Sequence, residues 1–74
     1  MLDTLPSELA LIRERLTFAT KGELALIRAE LLALCARENV IGFNLRSRPT
    51  HVLIALERLQ NAKLEAYVDS LPSY

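Results

Sequence analysis

The side chains best equipped for chemistry lie between Asn44 and His51, where Asn44, Arg46, Arg48 and His51 bring an amide, two guanidinium groups and the chain's single imidazole together. Such a set suits an anion or a nucleic acid. Arginine forks match phosphate and guanine edges, and an asparagine amide matches adenine. Backbone N–H groups at a following helix start would add to the pull on negative charge. The competing reading is a solvated loop whose arginines keep an apolar turn in water. His51 falls in an opening helical turn, where the positive end of the helix dipole disfavours a second positive charge, so it reads as an exposed polar residue rather than a base.

Catalysis needs groups that converge, and one His, one Cys and scattered carboxylates show no spacing that would bring them together. No catalytic residue is expected. Cys35 stands among Leu31, Leu32 and Leu34, where a thiol behaves as a small buried hydrophobe. A lone cysteine forms no internal disulfide, and no Cys-x-x-Cys or similar spacing is present, so neither a metal site nor export to an oxidising compartment is expected. Gly22 and Gly42 are the only glycines, too few for a phosphate-cradling loop. The reading therefore expects no cofactor.

Nine basic residues cancel nine acidic ones, which removes the chain-wide positive field of a protein that holds nucleic acid mainly by bulk charge. Met1-Leu2-Asp3-Thr4 lacks the basic and apolar regions of a signal peptide. The most apolar runs, Leu31 to Ala36 and Val52 to Leu56, fall far short of the roughly 20 residues that span a bilayer. A cytoplasmic protein with no membrane partner is expected.

The elements that must position these residues are helical. Half the residues are apolar, but there is no Trp and there are only two Phe and two Tyr, so Leu and Ala build the core. Leu5, Leu9, Ile12 and Leu16 form the stripe of a first helix, with Pro6 in its opening turn. Thr20-Lys21-Gly22-Glu23 is a capping box opening a second helix, whose stripe is Leu24, Ile27, Leu31 and Leu34. Asn39 reads as its stop. Ile41 to Arg46 then alternates apolar and polar, which predicts an extended segment. Ser47 reads as the cap of a third helix with Pro49 in its first turn and Val52, Ala55, Leu56 and Leu59 as its stripe. Past Gln60-Asn61 the apolar set rotates by roughly a quarter turn to Leu64, Tyr67, Val68 and Leu71. This predicts a break near Asn61 and a short last helix ending at Pro72.

Glu8-Leu9-Ala10-Leu11-Ile12-Arg13 recurs as Glu23-Leu24-Ala25-Leu26-Ile27-Arg28. Either the two helices are equivalent halves of a hairpin with similar faces, or common helix formers recur by chance. Leu11 and Leu26 lie off the main stripes, and a few short helices cannot cover both. Such side chains mark an interaction surface.

Phe43-Asn44-Leu45-Arg46, followed by Pro49 and Val52-Leu53, resembles the strand and first-helix entry of ribbon-helix-helix repressors of the Arc type. The resemblance implies a strand that pairs with its twin in a dimer, with Asn44 and Arg46 reading the major groove and Phe43 and Leu45 facing the core. It carries one extra residue before Pro49 and lacks the glycine turn and capped second helix that should follow.

The expectation is thus a single all-α domain over 1–74. It is a small antiparallel bundle of three to four helices, near 5–16, 21–38, 49–60 and 62–71, with a short extended segment near 40–46. The function expected is a non-enzymatic regulator or adaptor acting through protein–protein contacts as a homodimer, other homo-oligomer or complex with a protein partner, with Leu11 and Leu26 on its surface. The alternative is a dimeric DNA-binding regulator that uses Asn44, Arg46, Arg48 and His51.

Overall fold

The computed structural model describes residues 4–72. Three helices pack together: α1 Leu5–Thr17, α2 Lys21–Arg37 and α3 Pro49–Asp69. No strand occurs among the described residues.

Local chemistry accounts for the helix ends. Pro6 sits in the first turn of α1, where its missing N–H costs nothing, and the Thr4 hydroxyl donates to Glu8 Oε1 at 2.6 Å. Thr20 caps α2 as its spacing predicts: Thr20 Oγ1 accepts the Glu23 N–H at 3.4 Å and donates to Glu23 Oε1 at 3.0 Å. At the other end of α2, Asn39 takes φ 60°. Its N–H donates to the Ala36 carbonyl and the Val40 N–H donates to the Cys35 carbonyl, at 3.3 and 2.8 Å. These two bonds form a Schellman motif with Glu38 as C-cap, and Val40 folds back onto the core as the motif requires.

The core takes Leu5, Leu9 and Ile12 from α1, Ile27, Leu31, Leu34 and Cys35 from α2, and Val52, Leu53 and Leu56 from α3. Leu16, Ala19, Val40 and Phe43 pack around it. Each large aliphatic side chain sealed here contributes about 1.5–3 kcal/mol relative to exposure. The repeat holds in part: Ile12 and Ile27 are both buried and Leu11 and Leu26 are 61% and 64% exposed, but Leu9 is buried where its counterpart Leu24 is only half-buried.

Four ion pairs give the register. Glu8 with Arg37 and Arg15 with Glu30 set α1 antiparallel to α2. Arg13 with Glu57 and Glu38 with Lys63 set α3 antiparallel to α1 and parallel to α2. Residues 38–48 therefore lead from the far end of α2 back to the level where α2 began.

Three expectations are corrected. The predicted break near Asn61 is absent, and α3 runs unbroken for 21 residues. A mid-helix asparagine costs under about 1 kcal/mol, so a rotation of the apolar face need not interrupt the backbone. The segment 40–46 is not a strand: Gly42 has φ 103°, and Asn44 to Ser47 form a turn. In that turn the Arg46 N–H donates to Asn44 Oδ1 at 2.8 Å, the Asn44 N–H donates to Ser47 Oγ at 3.0 Å, and the Ser47 N–H donates to the Asn44 carbonyl at 2.9 Å. Asn and Ser side chains compete in this way with regular structure, and a lone segment has no strand partner to outbid them. Ser47 is thereby committed to the turn and does not cap α3, whose N-cap is Arg48 without a side-chain capping bond.

Helix lengths shape the molecule. At 1.5 Å per residue α3 is about 31 Å long against about 26 Å for α2 and about 20 Å for α1. Because α3 passes the end of α2 at Lys63, its remainder projects, and the extents are 51 × 24 × 19 Å.

Candidate interaction surface

Asn44, Arg46, Arg48 and His51 are all exposed, at the turn before α3 and in its first helical turn. Contiguity, not folding, holds them together. The Asn44 side-chain oxygen is occupied by the Arg46 N–H, so it serves the loop's own shape. Arg46 and Arg48 make no ion pair among the described residues. The strand implied by the ribbon-helix-helix resemblance is not formed. Of the three apolar residues in the alternation, only Phe43 packs inward, while Ile41 and Leu45 are 90% and 73% exposed.

Leu11 lines a shallow groove between α1 and α2, floored by Ile12, Ala33 and Leu34 and rimmed by Glu8, Arg15 and Glu30. Leu26 does not line it. In the antiparallel register Leu26 lies nearer the α1–α2 turn, so the structure leaves both residues exposed but does not join them in one groove.

A second apolar feature on the surface was not foreseen. From Asn61 to Pro72 every described residue is exposed, including Leu64, Tyr67, Val68 and Leu71 at 48% to 62%. Leu64, Tyr67 and Val68 share one stripe of α3, and Leu71 follows just past its C-cap Ser70. Leu64 and Val68 line a shallow concavity with Glu65 and Asp69. Sequence periodicity found the stripe and placed it on a short last helix of the bundle. The signal that could have exposed it is length, since α3 outruns the hairpin it packs on.

The base of this projection is clamped. The Glu38 carboxylate, largely buried, accepts from Lys63 and from Arg37 Nε, the latter at 3.2 Å. The hydrogen bond from Lys63 holds its pKa below the usual carboxylate range despite burial, which acts in the opposite sense. Cys35 is buried, and desolvation pushes its thiol up, away from the thiolate.

Among the described residues no three His, Cys, Asp or Glu side chains gather where they could hold a metal ion. No helix there is long and apolar enough to cross a membrane. Known protein families, curated proteins and solved structures give no match to this chain.

Proposed function

We propose that this chain is a protein-interaction module, a small non-enzymatic regulator or adaptor, whose principal contact surface is the free half of α3. One observation carries this reading: three large apolar side chains at helical spacing on a helix that extends past its own bundle, with Leu71 following just after its C-cap. Apolar anchors at i, i+3, i+4 and i+7 are what an amphipathic helix presents to a groove on a partner. A small domain gains nothing in its own stability by leaving such a stripe in water. The groove beside Leu11 is a second, smaller contact.

A DNA-contacting regulator is the alternative, supported by Arg46 and Arg48 at the entry to α3, which make no ion pair among the described residues, and by the absence of any acidic residue from Asn39 to Leu56. The two readings separate in a capture experiment from lysate of the native host, with and without nuclease. The module reading expects protein partners that survive nuclease and are lost with Leu64→Glu plus Val68→Glu. Capture that nuclease abolishes, and that fails with Arg46→Ala plus Arg48→Ala but not with the α3 variant, would establish the alternative.

A further inference from the structure

We propose that the free half of α3 docks on the basic end of a second copy of this chain, so that copies associate head to tail. The proposal rests on the reading of α3 as the contact surface and adds the identity of what it contacts.

The two ends of the molecule are complementary in charge and alike in exposing apolar surface. On the projecting half of α3, Lys63 is matched by Glu38, whereas Glu65 and Asp69 make no ion pair among the described residues. The projection is therefore an acidic helix with an apolar stripe. At the opposite end, where α3 begins with no acidic residue in its first turn, Arg46 and Arg48 make no ion pair among the described residues and stand beside exposed Leu45. Opposite potentials steer encounter and set register, while the apolar stripe supplies the driving force.

Geometry forbids the two ends from meeting within one molecule. Arg48 precedes α3 and Leu64 lies in the same unbroken helix, which holds them about 24 Å apart at 1.5 Å per residue. Two-fold pairing of projections is the other arrangement open to a second copy. A two-fold interface uses the same patch on both copies, so it would set Glu65 and Asp69 against the same carboxylates of the other copy, and like charges oppose it. A head-to-tail contact removes that conflict and, because it is heterologous, propagates into chains unless the rotation closes a ring.

The test is the mass of the full, nuclease-treated chain by light scattering or sedimentation, using two doubly substituted forms. Leu64→Glu with Val68→Glu blocks the tail, and Arg46→Glu with Arg48→Glu blocks the head. All four positions are exposed, and circular dichroism verifies that helix content is retained. The unsubstituted chain should grow past the dimer as concentration rises, and its association should weaken without being abolished as salt shortens the reach of its charges to about 3 Å near 1 M, because the apolar stripe is not screened. Each blocked form alone should be a monomer. An equimolar mixture of the two should form a dimer and stop there, because one form retains only a head and the other only a tail. A head-blocked form that dimerises on its own would overturn head-to-tail docking in favour of two-fold pairing of projections, and a mixture that stays monomeric while the unsubstituted chain associates would overturn it as well. An unsubstituted chain that is monomeric at hundreds of micromolar would overturn it too. In that case nuclease-resistant partner capture through Leu64 and Val68 would still leave the interaction-module reading standing.

Discussion

Glu38, the C-cap of α2, is bonded to Lys63 of α3, and beyond this pair every described residue of α3 is exposed. The contact marks where the bundle ends and the projection begins. It also ties that boundary to Arg37 and, through Arg37, to Glu8 at the start of α1.

This clamp makes stability depend on pH. The folded Glu38 carboxyl titrates below its unfolded value of roughly 4.3. Its contribution is therefore complete above the unfolded pKa and disappears as pH falls through the lower folded one. Glu38→Gln should cost about 1 kcal/mol at pH 7, and the difference from the unsubstituted chain should shrink toward zero in acid. Urea denaturation at a series of pH values measures it, and a difference that persists below pH 3 would rule out the charge of Glu38 as the cause.

Substitutions on α3 should divide sharply at the clamp. Leu56 is fully buried, so Leu56→Ala should cost about 2–5 kcal/mol. Leu64→Ala and Val68→Ala, in the exposed half, should each change stability by no more than about 0.5 kcal/mol. The comparison is made by thermal melting at low protein concentration, where association does not contribute. A large loss for Leu64→Ala under those conditions would place the projection inside the folding unit.

Asn39 should tolerate only one kind of replacement. At φ 60° a side chain with a Cβ is strained, which Asn relieves in part by local hydrogen bonding and Gly avoids altogether. Asn39→Gly should be neutral or stabilise by up to about 1 kcal/mol, and Asn39→Val should destabilise by about 1–2 kcal/mol. Equal midpoints for the two in denaturant would contradict the left-handed assignment.

Cys35 should be chemically quiet. Cys35→Ser buries a hydroxyl and should cost about 1–3 kcal/mol, more than Cys35→Ala. In the folded protein an aromatic disulfide reagent should label the thiol far more slowly than in urea. Labelling at the unfolded rate in native buffer would remove Cys35 from the core.

Much that near neighbours in the chain govern was legible in the amino-acid sequence. The Thr20–Glu23 cap, the Asn39 stop, the buried stripes of α1 and α2 and the matched exposure of Leu11 and Leu26 all follow from relations within one or two helical turns, which periodicity and capping chemistry report directly. Side-chain competition was harder to weigh: Asn44 and Ser47 turned an alternating segment into a bend because hydrogen bonds within the loop were available and a partner strand was not. Only the tertiary structure decided the fate of Leu64, Tyr67, Val68 and Leu71. A stripe looks the same whether it faces a core or water, and its burial depends on how far the helices beside it reach. Here α1 begins and α2 ends near the level of Lys63, so α3 carries its last apolar turns into solvent.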